Sequence, residues 1–520
     1  MSGDRYVYAR SGQLQSVTDA TGTRTFNFDP SMPLRVLNET LDSSFYNSRV
    51  LTSLYDSNAT SPGGGAFGSF TVSHLLGRPT GFSLGVSGNT ARDLQQSFTY
   101  SNLGQFAGVT TQVAGATARN FTYAYDSTDM LTGYASGSFG VNYAYEAQRN
   151  LRTSVASAYG STSITRFDFA YTKLGQKQWA MQSGSAYADY YSGTSYTAVY
   201  NYYLYDSKGQ LQSTAMYRGN TPPTGGSAPS GADELPGRRY EYRYDEAGNR
   251  TSAGQTGITT RGDDSFTANA LNEYTSRENN SVHILGTAAP SASVGMLGTS
   301  VAKTDRAFAA DFVPPNTNGP ANGTLSLYSV LPGAGTGGVD IIKTLAFNWF
   351  VPPAQQAFTY DADGNLTSDG VWNYVYDGEN RLVQMNSTLL AGVGFTRLGI
   401  QFTYDYLGRR VEKKVTNLDT NQVVLDHKFI YDGWALVAET DASGNLTRGY
   451  TWGLDIAGSL DATGGVGALL DITNVNTNAT TTDYFPTYDG NGNVAALVRS
   501  DGVLAAAYEW TSRRGQAVFC

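Results

Sequence analysis

A short pattern of apolar and polar positions recurs along most of the chain. Two aromatic residues stand two positions apart, and Asp directly follows the second. Gly comes three residues after the Asp, and an apolar or basic residue follows two positions after the Gly. The clearest copy spans Phe358–Leu366, with Tyr360, Asp361 and Gly364 at its centre. Aromatics two apart share one face of a strand, Asp favours a turn through bonds to nearby backbone N–H groups, and Gly supplies positive φ. Each copy therefore predicts a β-hairpin corner.

The copies that keep both the Asp and the Gly are expected to form the same corner. The predicted turn residues are the pairs Asp245 and Gly248, Asp361 and Gly364, Asp405 and Gly408, and Asp489 and Gly492. Looser copies begin at Tyr6, Phe26, Phe98, Tyr123, Tyr143, Phe169, Tyr374 and Phe429. Since the spacing between copies is irregular, strand and loop lengths must vary along a series of antiparallel strands.

Composition agrees with an all-β protein. Aromatic residues make up 12% of the 520 residues, Tyr alone is 36 and Gly is 59. Charged residues are 15%, against roughly 25% in ordinary soluble domains. The chain is therefore rich in residues that fill strands and turns and poor in the Glu, Lys and Leu that favour helices.

Charge and cysteine content exclude several functional classes. The net charge is −9 and Lys and Arg do not cluster, so no nucleic-acid partner is expected. No apolar run is long enough for a transmembrane helix. The single cysteine is Cys520, and His74, His283 and His427 lie far apart in the sequence. We therefore expect no metal ligands, no cofactor and no catalytic residues.

These residues and their spacing resemble the YD-repeat, or RHS-repeat, family over roughly residues 1–278 and 354–510. The stretch from Tyr450 to Asp455, together with that from Tyr484 to Asn493, also resembles the RHS-associated core region. The resemblance implies a long spiral β-sheet that closes into a hollow shell around a variable C-terminal segment, often a toxin. Residues 1–280 and 353–449 are then repeats, and residues 450–510 are the core-like region.

Three segments depart from the repeat. Residues 281–352 lose it, and the alternation in Thr324–Val330 favours an inserted β-sandwich-like module, with a long decorated loop of the shell as the alternative. Residues 218–238 are rich in Pro, Gly and Ser and predict a mobile surface loop. Residues 511–520 form a divergent tail where the resemblance would place a plug, self-cleavage aspartates and a toxin. We therefore expect an incomplete shell segment with a hollow face lined by tyrosines and without cargo.

Four short motifs are better explained by structure than by chemistry. Gly333–Gly338 fits G-x-G-x-x-G but lacks a βαβ context, and Gly81–Gly85 fits G-x-S-x-G within an alternating strand. Asp361, Asp363 and Asn365 have the spacing of half a calcium loop, although turn chemistry explains them and a weak surface calcium site is the alternative. Arg261–Asp263 is an RGD tripeptide that a hairpin turn would expose in any case.

The leading interpretation is a non-enzymatic, RHS-type β-shell segment of a bacterial polymorphic-toxin-like protein. The intact protein would be secreted or on the cell surface, and the shell would encapsulate or present its own or a fused C-terminal effector that is absent here. No signal peptide is expected before Tyr6 and Tyr8, which already form a repeat aromatic pair. The alternative is a cell-surface adhesion or carbohydrate-binding repeat protein that contacts glycans or a target-cell surface.

Overall fold

A computed structural model describes residues 3–30, 32–55, 59–60, 71–72, 78–89, 92–223, 229–256, 264–278, 282–389, 396–460, 465–478 and 480–510. Two segments of interest, the RGD tripeptide at 261–263 and the tail at 511–520, lie outside the described residues. The chain forms two compact units. Unit 1 comprises Met1–Asn142, Ile400–Thr416 and Val423–Ala505, and unit 2 comprises Tyr143–Gly399, Asn417–Gln422 and Ala506–Cys520.

The described residues are almost entirely β-structure, as the sequence predicted. The strands of the first half are β1 (Arg5–Tyr8), β2 (Leu14–Asp19), β3 (Gly22–Phe28), β4 (Val36–Thr40), β5 (Arg49–Tyr55), β6 (Ala59–Thr60), β7 (Thr71–Val72), β8 (Pro79–Val86), β9 (Leu94–Tyr100), β10 (Phe106–Val113), β11 (Arg119–Tyr125), β12 (Leu131–Ser136), β13 (Phe139–Tyr145), β14 (Arg152–Tyr159), β15 (Thr162–Tyr171), β16 (Lys177–Ser183), β17 (Val199–Tyr205), β18 (Leu211–Arg218), β19 (Glu234–Tyr244), β20 (Arg250–Thr256), β21 (Asp264–Ala268) and β22 (Tyr274–Glu278).

The second half continues in the same way. Its strands are β23 (Val282–Thr287), β24 (Ser293–Met296), β25 (Thr299–Ser300), β26 (Lys303–Thr304), β27 (Ala307–Phe312), β28 (Ala321–Leu331), β29 (Ile341–Val351), β30 (Gln355–Ala357), β31 (Thr359–Tyr360), β32 (Leu366–Ser368), β33 (Trp372–Tyr376), β34 (Leu382–Ser387), β35 (Leu398–Tyr404), β36 (Arg410–Asn417), β37 (Gln422–Asp432), β38 (Ala435–Asp441), β39 (Leu446–Trp452), β40 (Leu469–Val475), β41 (Thr481–Tyr488), β42 (Val494–Arg499) and β43 (Leu504–Ala507).

Helical structure is limited to short pieces in the part of the chain that the structure describes. There is one four-residue α-helix, α1 (Ser43–Tyr46), and there are 3-10 turns at Ser185–Tyr190, Gly231–Asp233 and Thr336–Gly338. Asp42 caps α1 by accepting hydrogen bonds from the Ser44 and Phe45 backbone N–H groups. No helix in the described ranges has the length and apolarity that crossing a membrane requires.

Neighbouring strands pair in antiparallel fashion, and the register slips beside the corner aromatic. The slip falls between Arg243 and Tyr244 where β19 meets β20, and between Thr359 and Tyr360 where β31 meets β32. Such a slip is the bulge that accompanies a turn closed by glycine. The repeat unit therefore sets both the turn and the register of its hairpin.

Residues Val282–Val351 form two small sheets within unit 2. One contains β23, β27 and β26, and the other contains β25, β24, β28 and β29. Their apolar faces share a buried cluster made of Ile284, Val294, Met296, Phe308, Ala310, Leu325 and Leu327. This is a β-sandwich-like module, because each sheet covers the apolar face of the other.

Early and late strands of unit 1 pack face to face. Leu84 and Leu94 of the early strands share one buried cluster with Ile430 and Val437 of the late strands. Phe139 stacks on Phe485 with ring centroids 4.7 Å apart. The expectation of a hollow, tyrosine-lined face is therefore wrong for these strands, because their apolar side chains contact each other directly.

The predicted loop at 218–238 is shorter than expected. Arg218 ends β18, Ser230 caps the 3-10 turn at Gly231–Asp233, and β19 begins at Glu234. Leu235 and Arg238 are buried. Strand pairing and burial therefore override the loop-like composition of residues 234–238.

Candidate functional site: repeat corners and buried ionic clusters

The corner at Asp245 shows how the repeat unit folds. The Asp245 backbone N–H donates to the Asn249 carbonyl at 2.9 Å, and the Gly248 N–H donates to the Asp245 carbonyl at 3.2 Å. The Asn249 N–H donates to Asp245 Oδ1 at 2.8 Å. Gly248 has φ of 91°, a conformation that costs glycine little. Asp therefore closes the turn through its backbone and its side chain.

The other predicted pairs adopt the same geometry. The φ angles are 84° at Gly364, 76° at Gly408 and 82° at Gly492. The Asp361, Asp405 and Asp489 carboxylates accept from the backbone N–H four residues on, at 2.8, 3.0 and 3.0 Å. Hydrogen bonds from the Asn365 side chain and backbone lower the pKa of Asp361, since they favour its charged form.

The corner tyrosine also links one hairpin to the strand before it, which the sequence analysis missed. In each case its hydroxyl donates to the carbonyl of the first residue of an earlier strand, which is the preceding strand for all but Tyr360; for Tyr360 that strand is β22, which lies before the inserted module. Among the described residues these pairs are Tyr55 to Val36, Tyr100 to Pro79, Tyr125 to Phe106, Tyr171 to Arg152, Tyr205 to Lys177, Tyr244 to Leu211, Tyr360 to Tyr274, Tyr431 to Arg410 and Tyr488 to Leu469, at 2.6–3.1 Å. The frequent occurrence of Tyr immediately before the corner was the available signal.

The corner at Asp405 differs from the others because it is buried. Asp405 is 1% exposed, and Arg409 holds its carboxylate with N···O distances of 2.8 and 2.6 Å. Arg24 Nη2 lies 3.7 Å from the same carboxylate. A turn residue of the repeat is thereby part of an ionic cluster between early and late strands of unit 1.

Carboxylates outnumber cations in this Asp405 cluster. Arg24 also pairs with Glu39 at 2.6 Å and lies 3.9 Å from Asp19. Burial, together with the nearby Glu39 charge, raises the pKa of Asp432 to about 6 against the opposing effect of Arg409. The ionised cluster therefore carries surplus negative charge at neutral pH, which is costly in a desolvated site.

A second ionic cluster of unit 1 joins Arg119 to two aspartates. Arg119 Nε is 3.3 Å from Asp471, and the Arg119 guanidinium also pairs with Asp483. Asp471 is 1% exposed, and its Oδ1 lacks a hydrogen-bond partner among the described residues. Burial, reinforced by the Asp483 charge, raises the pKa of Asp471 well above its usual value.

Unit 2 contains a small cavity beside a buried polar triad. The Tyr190 hydroxyl donates to the Glu509 carboxylate and accepts from Arg238 Nε and Nη2 at 3.2 and 3.0 Å. The adjoining cavity has a volume of about 60 Å³ and includes Leu285 and Tyr508 in its lining. Burial raises the pKa of Tyr190, so its hydroxyl stays protonated and serves as a structural donor.

The two glycine motifs occupy structural positions. Gly333–Gly338 is the tip of the hairpin between β28 and β29, where Gly333, Gly337 and Gly338 have positive φ. Ser83 of G-x-S-x-G lies within β8, opposite Thr52 on one side and Gln95 on the other. Neither motif has the strand-to-helix turn that its chemical function requires.

In the described ranges, His, Cys, Asp and Glu side chains nowhere gather in groups of three or more suited to a metal ion. In the calcium-like motif, the Asp361 carboxylate accepts hydrogen bonds from the Asp363 and Asn365 backbones at 3.0 and 2.8 Å. These aspartate oxygens therefore act within the turn.

Comparison with known proteins shows partial sequence similarity to bacterial toxins and nucleases. No family model matches the chain. The tRNA3(Ser)-specific nuclease WapA of Bacillus spizizenii is 31% identical over 157 residues, 30% of this chain and 6% of the nuclease. The double-stranded DNA deaminase toxin A of Burkholderia cenocepacia is 34% identical over 95 residues, 17% of this chain and 6% of the toxin. The matched stretches therefore span only about 6% of each relative's length.

Solved structures that align with this chain include components of Tc toxins. The Tc holotoxin pore of Photorhabdus luminescens aligns with 99% of this chain and 25% of its own, at 12% identity and a TM-score of 0.36. A crystal structure of TcdB2-TccC3 aligns with 99% of this chain and 26% of its own, at 12% identity and a TM-score of 0.35.

Proposed function

We propose that this chain is a non-enzymatic, RHS-type β-scaffold segment of a polymorphic-toxin-like protein. The observation that carries the proposal is that its relatives are named for different chemistries. One is a tRNA nuclease and another is a double-stranded DNA deaminase. A scaffold that accompanies different effectors explains why one chain resembles both, and the effector supplies the chemistry.

The repeat corners support a scaffold function. The predicted corners are closed by their Asp and Gly, and the corner tyrosine is bound to the preceding strand through a hydroxyl-to-carbonyl hydrogen bond, as for Tyr244 and Leu211. These contacts are local and recur with many intervening sequences. A series of such hairpins is rigid because each one orders its neighbour, which suits a framework that holds another domain.

The partner in this proposal is the protein's own or a fused C-terminal effector. The intact protein is secreted or cell-surface, where a toxin meets its target. In unit 1, contacts such as Phe139 on Phe485 fill the space between facing strands. Unit 1 therefore favours presentation of an effector over enclosure of one between these strands.

Assays of the purified chain and of an effector fusion test the proposal. The chain alone is incubated with tRNA and with double-stranded DNA, and we expect neither cleavage nor deamination. A small nuclease domain of known structure is then fused after residue 520, and its proteolysis is compared with that of the free nuclease. Slower proteolysis of the fused domain, with its nuclease activity retained, is expected of a scaffold that holds an effector.

Two results would contradict the proposal. One is hydrolysis or deamination by the chain alone that disappears in a single acidic variant such as Asp471→Asn. The other is specific binding to a glycan array by the chain alone, with no protection of the fused nuclease, which would favour the adhesion or carbohydrate-binding alternative. A folded variant that loses a buried contact, such as Tyr125→Phe, controls for general effects of instability.

A further inference from the structure

We propose that the outer edge of β29 is a self-association site, where β29 of one copy of this chain pairs in antiparallel fashion with β29 of a second copy. Strand β29 has 11 residues and lies inside the uninterrupted described stretch 282–389. In the described residues it pairs with β28 alone and is the last strand of its four-stranded sheet. The backbone N–H and C=O groups that it turns away from β28 can accept a further strand.

The length and composition of β29 distinguish it from other edges of the module. The opposite edge of the same sheet is β25, which has two residues, and β26 at an edge of the facing sheet also has two. Proteins commonly protect an exposed edge by shortening it or by placing proline or several charges on it. Strand β29 contains no proline, and Lys343 is its only charged residue. This edge is therefore long and nearly uncharged, as a strand that pairs with another strand would be.

Apolar side chains of β29 are exposed on both faces of its sheet. Leu345 is opposite Leu327 of β28, so the two side chains lie on the same face. Leu327 is 7% exposed within the core of the module, whereas Leu345 is 64% exposed, which means that the facing sheet does not cover Leu345. On the other face, Ile342 is 66% exposed. A strand added beside β29 would cover both Leu345 and Ile342, and burial of apolar surface favours association.

A second copy of β29 is complementary to the first. When two antiparallel β29 strands overlap along their whole length, the two-fold axis passes between the two Ala346 residues. Leu345 is then opposite Phe347 of the second copy, which packs on the core of its own module. The same register places Lys343 opposite Trp349 of the second copy. Like charges are therefore not opposed, and the ammonium group lies beside an aromatic ring.

A lipid surface fits this edge less well than a strand does. Hydrocarbon cannot satisfy the backbone N–H and C=O groups of an open strand edge, whereas an antiparallel strand satisfies them. The length of the contact indicates its strength. Two strands of 11 residues supply fewer than the roughly 20–30 residues on each side of a standard interface. We therefore expect a reversible dimer with a Kd of about 1–100 μM.

Sedimentation velocity of the full chain over about 1–200 μM measures this association. We expect the mass to rise from that of one chain to that of two chains as the concentration increases. Leu345→Lys should weaken the association at least about tenfold, because it places a charge in the centre of the contact. Leu297→Lys is the matched control, since Leu297 is 63% exposed in the turn between β24 and β25, at the opposite edge of the same sheet. Equal melting temperatures of the two variants would show that both are folded.

Disulfide formation tests the register. In a Cys520→Ser background, Ala346→Cys brings two thiols opposite each other across the two-fold axis, so mild oxidation should give a covalent dimer. Thr344→Cys is the control. Thr344 is opposite Asn348 of the second copy, which leaves the two introduced thiols roughly 13 Å apart along the strands.

Three results would overturn the proposal. The first is the mass of a single chain at every concentration. The second is equal association of Leu345→Lys and Leu297→Lys, which would place the contact outside β29. The third is failure of Ala346→Cys to crosslink faster than Thr344→Cys, which would exclude the pairing of β29 with its copy.

Discussion

Gln355 donates a 2.6 Å hydrogen bond to Glu278, although the β-sandwich-like module lies between them in the sequence. The two residues are opposite each other in the antiparallel pair of β22 and β30. The module is therefore inserted between the adjacent ends of two paired strands of unit 2, as an insertion at the tip of a hairpin is. This arrangement makes the module removable in principle.

Deletion of residues 282–351, with a short turn joining β22 to β30, should leave a folded protein. Arg218 loses Asp305 from the module but keeps Asp233 at 3.1 Å. We expect a cooperative melt and retained β-sheet circular dichroism. Deletion of the β10–β11 hairpin, which lies within the paired strands of unit 1, is the control and should abolish cooperative folding. Aggregation of both variants would show that the module belongs to the fold itself.

Replacement of a corner glycine should destabilise the protein. Gly364→Val is expected to cost at least about 1 kcal/mol in the free energy of unfolding, because β-branched residues resist positive φ. Gly378 lies in the next corner, lacks positive φ and has open space where a Cβ would stand. Gly378→Ala should therefore change stability by less than about 0.5 kcal/mol. If urea unfolding gave equal losses of stability for Gly364→Val and Gly378→Ala, the assignment of Gly364 to the positive-φ position of its turn would be wrong.

Loss of one tyrosine hydroxyl should have a measurable cost. Tyr125 donates to the Phe106 carbonyl at 2.8 Å, and Tyr125→Phe leaves that acceptor without this donor. We expect a loss of about 1 kcal/mol, measured by chemical denaturation. Tyr8→Phe is the matched control, because Tyr8 is exposed at the same position of its hairpin. A null result at Tyr125 would mean that water replaces the hydroxyl without cost.

Removal of a buried guanidinium should be more costly than removal of an exposed one. Arg24 is 3% exposed and lies near three carboxylates, so Arg24→Met leaves buried charge uncompensated. We expect a loss of about 3–5 kcal/mol in the free energy of unfolding at neutral pH. Arg499 forms an exposed pair with Asp501, and Arg499→Met should change stability much less, because solvent screens an exposed ion pair. Comparable losses in the two variants would contradict the cluster's importance.

Asp471→Asn should stabilise the protein at neutral pH. Because burial raises the pKa of Asp471, the acid form is favoured in the folded state. The stabilisation that the protonated Asp471 side chain gives the folded state is fully present below the ordinary pKa of about 3.9. That stabilisation is lost as the pH rises through the folded-state pKa. Thermal melts should therefore show a higher melting temperature for the variant at pH 7 than for the parent, and a smaller difference near pH 3.

Asp501→Asn provides a control of opposite sign. Hydrogen bonds from Arg499 lower the pKa of Asp501 to about 2, so its charged form is favoured in the folded state. The stabilisation from the charged Asp501 side chain is present above the pKa that Asp501 has in the unfolded chain. It is lost as the pH falls towards about 2. The variant should be slightly less stable than the parent at pH 7. Identical pH profiles for the two asparagine variants would rule out the burial argument for Asp471.

The local features of this protein were readable from its sequence. The spacing of Tyr360, Asp361 and Gly364 predicted a hairpin corner because strand alternation, Asp turn bonds and glycine φ act within a few residues. The loss of that spacing after residue 280 predicted the separate module for the same reason. Local physics thus determined the fold class and the turns.

Long-range packing decided the rest. Asp361 and Asp405 have the same sequence context, yet Asp361 is exposed and Asp405 is buried against Arg24. The early and late strands that enclose Asp405 are far apart in the chain, so no local pattern could indicate which corner would be covered. The same holds for Asp471, whose raised pKa depends on burial and on Asp483. Burial and ionic pairing depend on which strands meet, and only the tertiary structure determines that.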